Sequence, residues 1–84
     1  MRQIDGKYKT DGVISKNDGT ALPEDEPLIL FRGQDKLLPQ LLEYYNQLCA
    51  QSGSPQAQIQ AIQERLGAIK KWQVDHPERV KVPD

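Results

Sequence analysis

The sequence predicts an α+β fold: a short N-terminal antiparallel β-meander or hairpin, then an antiparallel two-helix hairpin, in the order β-β-β-α-α. Two observations predict this class. Short apolar runs separated by turn residues precede position 33. Two longer segments follow, with apolar residues at spacings of three and four, joined by the tight connection "SGSP". With 84 residues, we expect a single small domain spanning 1–84.

The N-terminal part contains the signals for two of the three predicted strands. Residues 1–11 are polar, and we expect a mobile start. Val13 and Ile14 are branched and favour a strand. The "NDG" at 17–19 is typical of a hairpin turn because these residues tolerate positive φ angles. A short return strand is therefore predicted over 20–22.

The run "LILFR" at 28–32 predicts a third, buried strand. It follows the acidic, proline-bracketed loop "PEDEP" and is too short for a helix. Alternation puts Ile29 and Phe31 on one face and Leu28 and Leu30 on the other. Because both faces are apolar, such a strand needs cover on both sides.

The first predicted helix runs to about Gln51, with Asp35 as its N-cap and Pro39 in its first turn. Its apolar side chains span nearly half the circumference, wider than the stripe of an ordinary surface helix. We therefore expect this helix to contact two neighbours. The apolar residues are Leu37, Leu38, Leu41, Leu42, Tyr44, Tyr45, Leu48 and Cys49.

The second predicted helix runs from Pro55 to about Asp75, with Ser54 as its N-cap. It ends at His76 because a residue before proline avoids the helical region. The short connection makes the two helices antiparallel. The apolar stripe is Ile59, Ile62, Leu66 and Ile69, beside Ala61, Ala68 and Trp72.

The segment "HPERVKVPD" at 76–84 is predicted to be an extended tail. Val80 and Val82 alternate with polar residues, which is a strand signal. Three arrangements stay open: the tail docks on its own chain, docks on a second copy, or is free.

Composition provides no recognisable catalytic chemistry. The chain has one cysteine and one histidine, too few for a transition-metal site, and no glycine-rich phosphate loop. Cys49 lies on the apolar arc of the first helix, and His76 at the end of the second. We therefore expect no enzyme, no cofactor, no metal and no small-molecule substrate.

The predicted location is cytoplasmic. A single cysteine cannot form an internal disulfide, which favours a reducing compartment. The first ten residues show no apolar signal region, and no run approaches the roughly 18 apolar residues of a membrane span.

The function predicted from these features is a small protein-interaction module, either a homodimer or an accessory subunit. Its motivation is the excess of apolar surface on a short chain. The candidate interaction residues are Phe31, Tyr44, Tyr45, Trp72, Val80 and Val82.

Two alternatives stay open. One is a nucleic-acid-associated accessory factor, although the net charge of -1 argues against it and neighbouring acids offset the basic residues. The other is a small regulator or inhibitor of another enzyme. The basic residues in question are Arg65, Lys70, Lys71, Arg79 and Lys81.

The stretch "EPLILFRGQDKLLP", with Trp72 and the closing "HPERVKVPD", resembles a family of small uncharacterised proteins from bacteria and their phages. The features in common are a strand ending in arginine, a Gln-Asp helix start at Gln34-Asp35, and a Trp-containing helix before a Pro-Asp ending. Gly33 stands where that family would carry alanine. The resemblance implies that the tail belongs to the fold and suggests a prophage or mobile-element setting. It carries over no site residues.

Overall fold

A computed structural model describes residues 2–83 of the chain. Its internal contacts divide it into two compact units, Met1–Leu30 and Phe31–Asp84. The first unit contains a two-stranded antiparallel sheet. The second contains two helices and, within the tail that was predicted to be extended, a 3₁₀ helix over Pro77–Arg79. The α+β class and the helical hairpin are therefore confirmed.

The β-β-β-α-α order is not confirmed, because the described residues contain only two strands. Strand β1 (Arg2–Gln3) pairs with β2 (Lys9–Thr10), with Arg2 opposite Thr10 and Gln3 opposite Lys9. Both strands lie in the segment that the sequence analysis expected to be a mobile start. Two-residue strands are too short to show apolar alternation, so the hydrophobic pattern could not predict them.

The "NDG" turn forms where it was predicted. Gly19 has a φ of +93°, and the Lys16 N–H donates to the Thr20 carbonyl at 2.8 Å. The Asp18 carboxylate accepts the Thr20 N–H at 2.9 Å, and this bond lowers the pKa of Asp18. The two arms share only one antiparallel bridge, Ser15 with Ala21, so the predicted flanking strands are reduced to a single pair.

The prediction of a buried strand over "LILFR" is wrong. None of its residues lies in a strand, and Ile29 is 68% exposed. The physical reason is that backbone N–H and C=O groups of this run form hydrogen bonds outside any strand pairing. The Leu30 N–H donates to the Asp5 carboxylate at 3.0 Å, and the Arg32 carbonyl accepts the Asp35 N–H at 3.0 Å. These bonds belong to a side-chain anchor and a turn instead of a strand ladder.

Asp5 organises the first unit through three backbone hydrogen bonds. One carboxylate oxygen accepts the N–H groups of Lys7 and Tyr8 at 2.8 and 2.9 Å. The other accepts the N–H of Leu30, 25 residues further along. These bonds stabilise the ionised carboxylate, with Leu30 the largest contributor, so the pKa of Asp5 lies below its ordinary value.

Helix α1 spans Leu38–Gln51, and Pro39 occupies its first turn as predicted. Asp35 caps the preceding turn and not the helix itself, since its carboxylate accepts the Leu37 N–H at 2.8 Å. The C-terminal end is closed by Gly53, whose φ is +78°. The Ser54 N–H reaches the Cys49 carbonyl at 2.9 Å, which is the long bond of a Schellman motif.

Helix α2 spans Gln56–Asp75, and His76 ends it as predicted. The expected capping by Ser54 is wrong: Pro55 occupies the N-cap position with φ −57° and ψ 148°, and no side-chain capping bond forms. The Ser54 N–H donates to α1 as part of the Schellman motif, so Ser54 belongs to the end of α1, and α2 begins after Pro55. Within residues 2–83, neither helix is long and apolar enough to cross a membrane.

Burial is concentrated at a few positions of the helical hairpin. Among the described apolar residues, only Leu38, Cys49 and Ile69 are buried. The Asn46 side-chain oxygen is also enclosed and has no hydrogen-bond partner among the described residues. This is a small core for the hairpin, because most large apolar side chains on α1 stay exposed.

We expect the order of the first unit to depend on ionised Asp5. Since folding lowers its pKa, the carboxylate contributes stability above the unfolded pKa near 3.8, and this is lost as pH falls through the folded value. An NMR titration of the Lys7, Tyr8 and Leu30 amides should show the three resonances moving together below pH 4.

The Asp5→Asn variant should remove this titration and show weaker protection of the same three amides at neutral pH. Asp11→Asn is the matched control, because Asp11 is an exposed carboxylate of the same unit. Unchanged amide protection in Asp5→Asn would contradict the anchoring role.

Candidate interaction surfaces of the helical hairpin

One side of α1, together with Leu37 directly before it, carries a continuous exposed apolar surface, which we call the α1 stripe. It consists of Leu37, Leu41, Tyr44, Tyr45 and Leu48, which are 41% to 61% exposed. Four of them follow spacings of four, three and four, so they lie in one line along the helix. This is the spacing by which two helices pack against each other in coiled coils.

The α1 stripe is bordered by uncharged residues. At about 100° per residue, Gln40, Gln47 and Gln51 follow it on one side, and the residues facing α2 follow it on the other. The charged residues beyond the glutamines are Lys36, which precedes the helix, and Glu43, which forms an ion pair with Lys70 of α2 at 2.7 Å. The stripe therefore presents no charge of its own to an approaching surface.

A groove of about 600 Å³ is lined by residues of both α1 and α2, and we call it the arginine groove. Its apolar lining comes from both helices: Leu38 and Leu42 of α1, with Ala68 and Ile69 of α2. The aromatic residues Phe31 and Trp72 also line it. Its charged lining residues are Arg32, Arg65 and Arg79, and no acidic residue is among the described residues that line it.

Near the C-terminal end of α2, Trp72 contacts both His76 and Arg79. Its ring stacks on the His76 ring, with centroids 4.6 Å apart and an interplanar angle of 25°. The Arg79 guanidinium carbon lies 4.8 Å from the Trp72 ring centre, within the range of a cation–π interaction. His76 Nδ1 lies 2.9 Å from the Trp72 carbonyl, which fixes the stacked ring when that nitrogen carries the proton.

The lysines of α2 are paired, in contrast to the arginines of the groove. Lys70 reaches Glu43 at 2.7 Å and Lys71 reaches Asp75 at 2.8 Å. The hydrogen bond and charge of Lys71 lower the pKa of Asp75, and Asp75 raises that of Lys71. Across residues 2–83, none of the ion pairs between described side chains involves the three groove arginines.

The segment before α1 is held between α2 and the tail. The Gln73 side-chain amide donates to the carbonyls of Gly33 and Asp35, both at 2.9 Å. The Lys36 N–H donates to the Lys81 carbonyl at 2.9 Å, and the Lys81 N–H donates to the Gln34 carbonyl at 3.0 Å. These two bonds form a parallel bridge, so the tail docks on its own chain through Lys81.

The structure distributes the six predicted interaction residues over three places. Tyr44 and Tyr45 belong to the α1 stripe, whereas Phe31 and Trp72 line the arginine groove. In the tail, Val80 is half-buried beside a second groove lined also by Pro39 and Val74, and Val82 is exposed.

Sequence reasoning missed several residues of these surfaces. Leu37, Leu41 and Leu48 carried the right signal, an over-wide apolar arc, but we expected neighbouring elements to cover them. Arg32 was assigned to the end of a strand. Gln73 gave no signal, because an amide that binds two distant carbonyls looks like any polar helix residue in the sequence.

Comparison of the chain with protein-family models, curated proteins and solved structures finds no match. Among residues 2–83, no group of three or more histidine, cysteine or acidic side chains is placed to hold a metal ion. The function is therefore inferred from the α1 stripe and the arginine groove.

We expect Gln73→Ala to loosen the 33–36 segment. Loss of two partly buried hydrogen bonds should lower the free energy of unfolding by about 1–3 kcal/mol. Amide hydrogen exchange at Lys36 and Lys81 should accelerate, because their bridge rests on the segment that Gln73 holds.

Gln60→Ala provides the matched control, since Gln60 is an exposed glutamine of the same helix. Equal exchange at Lys36 and Lys81 in the two variants would show that Gln73 does not hold the segment.

Proposed function

We propose that this protein is an interaction module that forms a homodimer through the α1 stripe. The observation that carries the proposal is the exposure of five large apolar side chains in one continuous surface. Scattered exposed apolar residues are ordinary, but a contiguous apolar surface on a small protein marks a contact site.

The small core supports association as a source of stability. A short chain buries a smaller fraction of its apolar surface than a large one, and partner contacts commonly compensate. Here α1 commits Leu38 and Cys49 to the hairpin interior and leaves the adjoining stripe open to solvent. Covering that stripe would remove further apolar area from water at about 25 cal/mol per Å².

A second copy is the occupant that fits the charge pattern. The stripe and its glutamine border carry no charge, so two identical surfaces meet without like-charge repulsion. A two-fold dimer uses the same patch on both subunits, which requires a self-complementary surface. The 4-3-4 spacing of Leu37, Leu41, Tyr44 and Leu48 provides this for two packed helices.

The alternative of a nucleic-acid accessory factor gains no separate support. Lys70 and Lys71 are paired with acids of the same chain. Trp72 is stacked within the chain, while Tyr44 and Tyr45 lie on an apolar stripe without a basic border. An accessory or regulatory role in a bacterial or phage setting remains part of the proposal, and it rests on the resemblance alone.

We expect the chain to sediment at twice its mass of 9.5 kDa at tens of micromolar and to dissociate on dilution. Leu41→Glu should abolish the dimer, because it places a charge in the middle of the apolar contact. Circular dichroism should show retained helices, since Leu41 is exposed in the monomer.

Gln60→Glu is the matched control, with the same added charge on an exposed position of α2. A chain that stays monomeric throughout the concentration range would overturn the homodimer. A dimer that survives Leu41→Glu would place the interface elsewhere.

A further inference from the structure

The arginine groove combines three cationic side chains with an apolar floor. Arg32, Arg65 and Arg79 line it, and the described residues around it supply no acidic side chain. Its volume of about 600 Å³ falls in the range of small-molecule sites, which is about 300–1,000 Å³.

The charge pattern of the hairpin singles this groove out. On α2, the two lysines are neutralised by Glu43 and Asp75, whereas Arg65 has no such partner among the described residues. Arg32 and Arg79 are likewise outside the described ion pairs. An anion in the groove would be attracted by all three of these cationic side chains.

The residue type points to an oxyanion. Guanidinium groups donate in a planar fork that matches carboxylate and phosphate oxygens, and they are less strongly hydrated than lysine ammonium groups. Arg79 is also oriented by its contact with the Trp72 ring at 4.8 Å, which restricts its side chain before any ligand arrives.

The apolar lining of the groove favours a ligand that also carries an apolar group. Leu38 and Ile69 are buried, and Leu42 and Ala68 line the groove beside them. A bare inorganic ion would leave this apolar part of the groove in water, whereas a hydrocarbon or aromatic group would cover it.

We propose that the arginine groove binds a small organic oxyanion. The arginines hold its phosphate or carboxylate group, and its apolar body lies on the floor formed by the two helices. This site does not share the residues of the α1 stripe, so the inference is independent of the proposed homodimer.

Trp72 provides the measurement, because it is the only tryptophan of the chain and lies in the groove. Its fluorescence is titrated with four probes: phenyl phosphate, phenylacetate, phenol and inorganic phosphate. Phenyl phosphate or phenylacetate should bind more tightly than both phenol and inorganic phosphate. The better of the two organic anions identifies the acid group that the groove prefers.

Arg65→Gln should weaken binding of that anion about tenfold or more, since one charge-assisted hydrogen bond contributes about 1.5–3 kcal/mol. Arg32→Gln provides a second variant, and an ¹H–¹⁵N spectrum establishes that each folds. Lys16→Gln removes the same charge from an exposed position in the first unit and should bind as the unchanged protein does.

The proposal would be overturned by no response to either organic anion, by equal affinity for phenol or inorganic phosphate, or by unchanged affinity in both arginine variants. A parallel loss in Lys16→Gln would also overturn it, because the binding would then follow net charge and not the groove.

Discussion

The structure depends on the width of the apolar arc of α1, which is greater than one neighbouring helix can cover. Packing against α2 buries Leu38 and Cys49 and leaves the α1 stripe exposed. Hydrophobic burial is the main favourable contribution to folding, so a hairpin that buries so few side chains has little stability to spare. A second copy packs against this uncovered surface in the proposed dimer, so folding and association use different side chains of the same apolar arc.

The C-terminal end of α2 organises the other surface of the hairpin. Gln73 holds the backbone of the 33–35 segment, and the bridge through Lys81 docks the tail against the same segment. Trp72, the residue directly before Gln73, stacks on His76 and contacts Arg79. The groove therefore has arginines on chain segments that hydrogen bonds and ring contacts fix in place.

The helices could be predicted from the sequence because their signals are local. Periodicity, Pro39, the "SGSP" connection and His76-Pro77 set the helix limits to within a few residues. The strands could not, because "LILFR" has strand composition but its backbone bonds go to Asp5 and to a turn. Tyr44 and Tyr45 were recognisable from the over-wide arc. Arg32 and Gln73 were not, since their roles depend on contacts with residues distant in sequence.

Chemical denaturation at two protein concentrations, about a hundredfold apart, tests most directly whether the α1 stripe stabilises the fold through a second copy. Binding that occurs only in the folded state raises apparent stability with concentration. We expect a higher denaturant midpoint for the concentrated sample and no such shift for Leu41→Glu. A midpoint independent of concentration would contradict it, because the hairpin would then draw no stability from association.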